Sequence, residues 1–297
     1  MSGRLEDLSK SFARHLRAEG RAERTVTLYG MSIRMFSDWL EARGRPAVVP
    51  ELTRAAIREW LAELAETREP GTVRTRYRGM FRFCGWCVDE GELSEHPMRS
   101  LRPPEAKAKP VPVLSDAELA AILKACSGRG FAERRDEAMV RLLLDCGLRI
   151  SELCALRIAD VDLDSGMAMV KGKGDRVRPV YLSARTVRAV DRYARARATH
   201  RWAHLDALFL TQRGAMSADG ARERIYGLGD RAGVDHLHPH RFRHTFAHDF
   251  LMAGGQERDL KRLAGWTSDV MLERYGSSAA DVRAKAAAQK LRRGDRV

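Results

Sequence analysis

The chain has 297 residues, 44% of them hydrophobic, so it is long enough to bury two separate cores and is not a disordered polypeptide by composition. Its 53 Lys and Arg against 40 Asp and Glu give a net charge of +13, which favours a polyanionic partner such as nucleic acid. Charge alone leaves open a second explanation, an arginine-rich source genome, whereas the absence of a long apolar run or a signal sequence excludes a membrane protein and predicts a cytoplasmic one.

The first hundred residues carry only helical patterns. Apolar side chains recur at helical spacing in four stretches, which predicts a compact bundle of four amphipathic helices. Thr53 and Thr72 are the expected N-caps of the third and fourth helices. The apolar positions are Leu5, Leu8, Phe12 and Leu16; Val26, Ile33, Phe36 and Leu40; Ile57, Trp60, Leu61 and Leu64; and Val73, Tyr77, Met80, Cys84 and Val88.

The fourth of these helices carries a run of basic side chains that can follow a phosphate backbone. A solvated helix face is the alternative for any single member of the run. The candidates for DNA contact are Arg74, Arg76, Arg78 and Arg82.

The cysteines are expected to be reduced thiols, because five is an odd number and most of them fall within helical patterns. Cys84 and Cys87 form a CxxC that also suits a metal, but no second metal-binding pair accompanies it. We therefore expect both to pack in the core.

Residues 99–112 lose the apolar periodicity and contain four prolines, which predicts a semi-rigid, extended linker. The linker separates a helical domain at 1–98 from a second domain at 113–278. Both domains carry an excess of basic residues, as expected if they face one long anionic ligand. Lys107 and Lys109 make the linker itself a candidate for contact with that ligand.

The second domain opens with a capping-box pattern that begins at Ser115, and a longer helix follows at about 133–146. Gly147 can end that helix and Ser151 can cap the next one. Arg149 then lies on the tight connection between the two helices, where its side chain can be aimed at a ligand.

The sequence MAMVKGKGDRVRPVYL at 167–182 predicts a β-hairpin, because two β-prone runs flank a glycine-rich turn. Lys173 is expected near the tip. The rest of the chain is mostly helical, apart from a short apolar run at 208–210. The whole pattern predicts a mostly α protein with a small β-sheet.

The stretch HPHRFRHTFAHDFL begins a helix at Pro239, where a missing amide proton costs least. His240 and Arg243 are three residues apart near the positively polarised helix start, which favours a bound phosphate. His244 and His248 continue at a spacing of four, so a metal site is the alternative. No HExxH glutamate, cysteine or acidic cluster supports it, and we expect these two histidines in the core or on the surface.

Six separated residues together predict a phosphate-binding cage with a nucleophile. Arginine holds two phosphate oxygens with one planar fork, lysine supplies a mobile proton, and the hydroxyl of a tyrosine suits covalent attack. A partly buried tyrosine at a helix end is the ordinary alternative for the last of them. The six are Arg149, Lys173, His240, Arg243, Trp266 and Tyr275.

The contexts of these residues resemble the tyrosine recombinase (phage integrase) family, which includes the Xer and Cre recombinases. The motifs are GLRISEL around Arg149, GKG around Lys173, HRFRHTFA carrying His240 and Arg243, and LAGWTSDVMLERYGS, which ends on the nucleophile. The resemblance covers nearly the whole chain, since GTVRTRYRGMFRFCGWCVDEGELSEHPM looks like part of the family's core-DNA-binding domain. It implies a SAM-like helical bundle and an α+β catalytic domain that form a C-shaped clamp around DNA.

The same resemblance implies a mechanism. Tyr275 attacks the scissile phosphate and forms a 3′-phosphotyrosyl enzyme with a free 5′-hydroxyl, while Arg149 and Arg243 hold the nonbridging oxygens. His240 is the candidate general base, and Lys173 protonates the departing 5′-oxygen.

Two further residues have narrower expected roles. Trp266 stands where many members carry a second histidine, and Cre-like members also use tryptophan there. Its indole N–H can donate a hydrogen bond but cannot titrate, so we expect it to position the phosphate. Glu152 is expected to orient the active-site bases, with a plain helix-capping acid as the alternative.

The resemblance implies double-stranded DNA core sites as the partner, a homotetramer on two such sites, no cofactor and no metal, and a nucleoid-associated protein. An accessory directionality or regulatory protein is a further expected partner.

Residues 279–297, with Val282 and Ala286 on one side, are expected to form a tail that docks onto a neighbouring subunit or else frays. Arg241 is another candidate DNA contact. Type IB topoisomerases and noncatalytic DNA-binding regulators are the rival functions.

Overall fold

The residues that the computed structural model describes are 3–103, 112–172, 175–266, 272, 284, 285, 288 and 289. The chain divides into two compact units, Met1–Ala108 and Lys109–Val297. Each unit has its own hydrophobic core. Within the described ranges, no helix has both the length and the apolar character needed to cross a bilayer.

The regular elements of the first unit are helices within its described residues, apart from one isolated β-bridge between Arg4 and Val48, and the predicted four-helix pattern is confirmed. Its helices are α1 (Leu5–Ala18), α2 (Glu23–Glu41), α3 (Arg54–Thr67) and α4 (Pro70–Asp89), with a 3₁₀ turn at Val49–Glu51 between α2 and α3.

One of the two predicted N-caps is confirmed and the other is wrong. The side chain of Thr53 accepts a hydrogen bond from the backbone N–H of Ala56 at 3.2 Å and so caps α3. Helix α4 begins earlier than its apolar pattern suggested, with Glu69 as N-cap and Pro70 in the first position. Proline is well accepted there because the first turn needs no amide donor. Thr72 therefore lies inside the first turn.

Aromatic rings fill much of the first core. Phe36 is fully buried and meets the edge of Trp60 with ring centres 5.4 Å apart, and Phe12 meets Phe83 at 5.5 Å. Such edge-to-face pairs add about 0.5–1.5 kcal/mol each to the gain from burial. The first unit is therefore held together mainly by apolar contacts.

Cys84 and Cys87 are both fully buried in this core, which confirms that they pack there. Burial raises the pKa of the Cys87 thiol to about 12, so the group stays protonated at neutral pH.

The beginning of the predicted linker lies against the first unit. The hydroxyl of Tyr77 donates a hydrogen bond to the backbone oxygen of Leu101 at 2.6 Å, and Leu101 packs against the helical core. The extended character predicted for 99–112 can therefore apply only after this anchored start. Residues 104–111 lie outside the described residues.

In the part of the second unit that the structure describes, helices are combined with two small antiparallel sheets, so the mostly α prediction is confirmed. Its helices are α5 (Asp116–Ala125), α6 (Phe131–Cys146), α7 (Ile150–Ala155), α8 (Ala184–Ala198), α9 (Ala218–Ala232), α10 (Pro239–Met252) and α11 (Glu257–Ala264). Its strands are β1 (Val161–Asp162), β2 (Met167–Lys171), β3 (Val177–Tyr181), β4 (Leu210–Thr211) and β5 (Gly214–Ala215).

The predicted hairpin is the centre of the larger sheet, whose strand order is β1-β2-β3. Met167 pairs with Tyr181 at one end of β2 and β3, and Lys171 pairs with Val177 at the other. Alternate side chains point to opposite faces of a strand, and the buried face of β3 carries Arg178 and Val180. A charged side chain thus enters the interior from this hairpin.

The helix-end signals of the second unit are confirmed in part. Ser115 and Glu118 form the predicted capping box of α5, and Gly147 ends α6 in the left-handed conformation that glycine adopts without strain. Ser151 is wrong as a cap, because α7 begins at Ile150 with Arg149 as its N-cap. Arg149 is nevertheless on the connection between α6 and α7, as predicted.

Candidate active site

Arg149 is oriented by a carboxylate on its own helix. Glu152 accepts the backbone N–H of Arg149 with Oε2 at 3.0 Å and the guanidinium Nη1 with Oε1 at 2.6 Å. The side chain of Arg149 remains 36% exposed. Because a guanidinium carries five N–H groups in a fixed plane, one bond to Glu152 fixes its direction and leaves other donors for a phosphate. Glu152 acts both as the capping acid and as the group that orients Arg149.

Glu152 is itself buried and shared with a second arginine. Arg178 donates to its Oε1 at 3.2 Å and to its Oε2 at 2.8 Å. Burial pushes the pKa of Glu152 upward, but the hydrogen bonds from Arg178 and Arg149 outweigh it and hold the pKa below its ordinary value. The carboxylate is therefore charged at neutral pH.

Arg178 also reaches a third segment. Its Nε donates a hydrogen bond to the backbone oxygen of Leu263, near the end of α11, at 2.7 Å. The sequence pattern missed this residue as part of the site. The available signal was a charged side chain at an inward position of β3, alternating with Val180.

Arg243 is buried and connects the end of α6 to the end of α11. It is 1% exposed, and it donates from Nη1 to the oxygen of Gly147 and from Nη2 to the oxygen of Ala264, both at 2.6 Å. Its guanidinium lies 5.5 Å from the ring centre of Trp266. Trp266 is 5% exposed and follows directly on the Gly265 that ends α11. Two predicted site residues, Arg243 and Trp266, are therefore in contact distance of each other.

The histidine-rich helix begins as predicted, with Pro239 in the first position of α10. His240 is exposed in the first turn, His244 is buried, and His248 is half-buried. Among the residues that can be described, no cluster of three or more histidine, cysteine or acidic side chains has the arrangement of a metal site. The exposed position of His240 leaves it accessible to a ligand at the positive helix end.

Four predicted site residues cannot be placed. Lys173 at the hairpin tip, the nucleophile candidate Tyr275, and the linker residues Lys107 and Lys109 lie outside the described residues. The tail at 279–297 is described at 284, 285, 288 and 289, all exposed.

The DNA-contact candidates of the first unit divide by burial. Arg74, Arg78 and Arg82 are exposed on α4, and Arg82 forms an ion pair with Glu19 at 3.1 Å. Arg76 is buried and donates to the backbone oxygen of Leu28 at 3.0 Å. Its guanidinium is held inside the bundle, so Arg76 does not fit the predicted role of a phosphate contact.

Arg241 is a second DNA-contact candidate that the structure places inside the protein. It is 5% exposed, pairs with Glu118 at 2.9 Å and donates to the backbone oxygen of Asp235 at 2.8 Å. These bonds tie the start of α10 to the start of α5. The surface-contact prediction for Arg241 is corrected accordingly, because a buried, paired guanidinium has no face for DNA.

The comparisons with known proteins agree with this geometry. The model of the phage integrase family matches residues 112–281. The chain is 32% identical to tyrosine recombinase XerC of Xanthomonas campestris pv. campestris (strain B100), over 86% of this chain and 79% of that protein. It is 28% identical to tyrosine recombinase XerD of Bifidobacterium longum (strain NCC 2705), over 93% of this chain and 94% of that protein. The fold is similar to the Tn1549 transposon integrase in complex with transposon right end DNA, with TM-score 0.76, 20% identity, and coverage of 98% and 99%.

Proposed function

We infer that this chain, which belongs to the phage integrase family, is a site-specific DNA recombinase. The enzyme is a strand transferase of the tyrosine recombinase type. It cleaves one DNA strand and rejoins it to another, and the energy of the broken phosphodiester bond is kept in a covalent link to the protein.

The observation that carries this function beyond family membership is the convergence of two arginines on one small region. Arg243 donates to Gly147, which lies 96 residues away in the chain and two residues before Arg149. One guanidinium is exposed and the other is buried beneath the same connection. Two fixed positive charges at the connection between α6 and α7 suit a phosphate whose negative charge grows during transfer.

The arginines have complementary tasks in this proposal. Arg149 binds a nonbridging oxygen of the scissile phosphate through the donors that Glu152 does not use. Arg243 adds positive charge from the buried side and fixes the backbone on which the phosphate rests. Their combined charge takes the place of a metal ion or nucleotide cofactor, so the reaction is expected to proceed in the presence of a chelator.

The remaining roles complete the transfer. Tyr275 attacks phosphorus, so that the 3′-phosphate becomes bonded to its phenolic oxygen and the 5′-oxygen leaves. His240 takes the phenolic proton, Lys173 gives a proton to the 5′-oxygen, and the indole N–H of Trp266 positions the phosphate without titrating. Attack by a 5′-hydroxyl on the phosphotyrosine reverses these steps and joins a new strand.

DNA binding is proposed for both units, as a clamp around a duplex core site with the exposed arginines Arg74, Arg78 and Arg82 facing phosphates. We propose assembly as a homotetramer on two core sites, with residues 279–297 docking onto a neighbouring subunit, and with an accessory directionality or regulatory protein as a further partner. The proposed setting is the bacterial nucleoid, in recombination of a mobile element or of chromosomal sites. The integrase complex with transposon DNA supports a duplex as the ligand class.

Covalent capture of DNA tests the proposed function and identifies the DNA target sequence in the same experiment. The protein is incubated with a pool of nicked duplexes whose core is randomised, in buffer with EDTA, and strands that stay attached after denaturation are sequenced. We expect a recurrent sequence joined through its 3′-phosphate, and loss of the adduct in Tyr275→Phe with DNA binding retained.

Four outcomes would contradict the proposal. Adducts formed by Tyr275→Phe would exclude this nucleophile, and a strict requirement for magnesium would exclude the arginine-based mechanism. Relaxation of supercoiled DNA by monomers, with no recombinant product from paired sites, would indicate a topoisomerase. DNA binding with no adduct from any pool would indicate a noncatalytic binding protein.

A further inference from the structure

Arg178 makes an unusual set of contacts for a side chain outside the predicted cage. One guanidinium donates to both oxygens of Glu152 and to the backbone oxygen of Leu263. The side chain comes from β3 and is only 8% exposed. Each of its three nitrogens thus donates to an acceptor inside the protein, and its burial keeps it away from DNA.

The segments that Arg178 joins are the ones that carry site residues. Glu152 belongs to α7 and orients Arg149. Leu263 is three residues before Trp266 in the segment that leads toward the nucleophile. A Cβ added at Gly265 would lie 3.0 Å from Nη1 of Arg178, so the glycine that ends α11 lets the guanidinium approach the backbone closely.

The β-hairpin also passes close to this guanidinium. A Cβ added at Gly172 would lie 3.5 Å from Nη1 of Arg178 and 3.6 Å from Oε1 of Glu152. Gly172 directly precedes Lys173. The base of the hairpin turn, the start of α7 and the end of α11 thus meet at one buried ion pair.

Loss of Glu152 would leave the buried charge of Arg178 without a carboxylate, and loss of Arg178 would leave Glu152 with Arg149 as its cationic partner. Both changes are expected to destabilise the protein, the first more strongly. Lysine is a poor replacement, because it has one compact charge and cannot span two carboxylate oxygens and a carbonyl in one plane. The geometry of these hydrogen bonds therefore requires arginine at position 178. Because Arg178 and Arg149 share Glu152, the contact is part of the site rather than of the hydrophobic core.

We propose that Arg178 is a positioning residue of strand transfer, which holds Arg149, through Glu152, in a fixed relation to the end of α11 and the base of the hairpin. The inference rests on the proposed recombinase function and deepens it. Arg178 touches no substrate. It sets where the exposed guanidinium of Arg149 meets the phosphate, and a displacement of about 1 Å in such a group costs roughly 100-fold in rate.

The test compares two buried arginines of the same unit. Arg197 in α8 is 4% exposed and donates to the backbone oxygens of Ala203, Ala207 and Leu208. None of these contacts involves a site residue. Arg178→Lys and Arg178→Met are matched with Arg197→Lys and Arg197→Met, and thermal unfolding identifies the temperature at which each variant is folded.

Single-turnover cleavage of the duplex recovered by covalent capture is then measured with protein in saturating excess. We expect both Arg178 variants to cleave about 100-fold more slowly than wild type, with DNA affinity within about twofold, because a group that aims Arg149 acts on the chemical step. Both Arg197 variants should lose thermal stability and cleave at the wild-type rate. Equal rates for folded Arg178 and Arg197 variants would overturn the proposal.

A neutral substrate gives a readout that mere destabilisation would not move. Replacing a nonbridging oxygen of the scissile phosphate by a methyl group removes the charge that Arg149 binds. The deficit of Arg178→Lys should therefore shrink on the methylphosphonate duplex, in parallel with that of Arg149→Lys. A deficit of the same size on both substrates would show that Arg178 acts by another route.

Glu152→Gln provides a second line of evidence, which also stands where Arg178→Met fails to fold. Combined with Arg178→Lys, it should slow cleavage no further than the slower single variant, since both act through one contact. Fully multiplicative losses would overturn the proposal. Absence of any wild-type adduct would instead count against the recombinase function, so the two failures are distinguishable.

Discussion

The two units of the protein use arginine in opposite ways. Among the described residues of the first unit, Arg76 is the buried arginine, and the other arginines of α4 are exposed. The described part of the second unit buries several arginines that bond carboxylates or backbone oxygens. These are Arg135, Arg178, Arg197, Arg241 and Arg243. Burying a guanidinium is costly unless its hydrogen bonds are made, and among the described residues this constraint falls on five arginines of the second unit and on one of the first.

The location of the buried charges shows what the constraint achieves. Arg178 and Arg243 bond the successive carbonyls of Leu263 and Ala264, which lie at the end of α11 where a helix lacks internal donors. The cationic groups also match the negative end of the helix dipole. The first core is filled largely by aromatic rings, and most arginines of α4 stay exposed, whereas the second unit uses buried arginines to fix the end of α11.

The largest expected effect is at Arg243. Arg243→Met removes a charge beneath the site and should slow single-turnover cleavage by about 100- to 1000-fold. It should also lower the free energy of unfolding by about 1–3 kcal/mol for each carbonyl left unpaired. Arg135→Met, at an arginine that pairs with Asp136, is the control. It should lower stability without slowing cleavage, and a wild-type cleavage rate in Arg243→Met would separate the buried charge from the chemistry.

The first unit should respond most strongly to loss of ring packing. Phe36 is fully buried, so Phe36→Ala should reduce the free energy of unfolding by about 3–5 kcal/mol, measured by urea denaturation. Phe81 is 38% exposed, and Phe81→Ala should cost about 1 kcal/mol or less. Similar losses at the two positions would mean that apolar burial does not dominate this unit.

Neighbouring arginines of α4 sharpen the contrast within one helix. Arg78→Met should reduce the slope of log Kd against log salt by about 0.9 for a lost phosphate contact, with stability changed by about 0.5 kcal/mol or less. Arg76→Met should leave that slope unchanged and lower the free energy of unfolding by about 1–3 kcal/mol. Fluorescence anisotropy at several salt concentrations and urea denaturation measure the pair. A changed salt slope in Arg76→Met would restore it as a DNA contact.

The smallest effect concerns the helix caps of the first unit. Thr53→Ala removes the bond to Ala56 and should lower the free energy of unfolding by about 1 kcal/mol. Thr72→Ala lies inside α4 and should change it by a few tenths of a kcal/mol. A larger loss at Thr72 would indicate that α4 begins where its apolar pattern first suggested.

The amino-acid pattern predicted the helices, the hairpin and the family because each depends on neighbours in the chain. Helical spacing, the capping box at Ser115 and the turn glycine Gly147 act over a few residues. The predicted cap at Thr72 was wrong for a local reason as well, since Pro70, two residues earlier in the sequence, is an equally good first residue of a helix.

The contacts of the site depend on residues far apart in the chain, and the pattern did not predict them. The inward direction of Arg178 was visible in the alternation of β3, but its partners Glu152 and Leu263 are 26 and 85 residues away. Burial of Arg76 and Arg241 was equally hidden, because any arginine in a basic stretch looks like a surface charge until the opposite face of its helix is known.

The sequence by itself determined the family, the order of the catalytic motifs and the chemistry of their side chains, since these are properties of residue type and local context. Only the tertiary structure decided which arginines are exposed and which are buried against acceptors inside the protein. The physical reason is that a guanidinium is stable inside a protein only where the fold supplies its acceptors, and distant segments can supply them, as Glu152 and Leu263 do for Arg178.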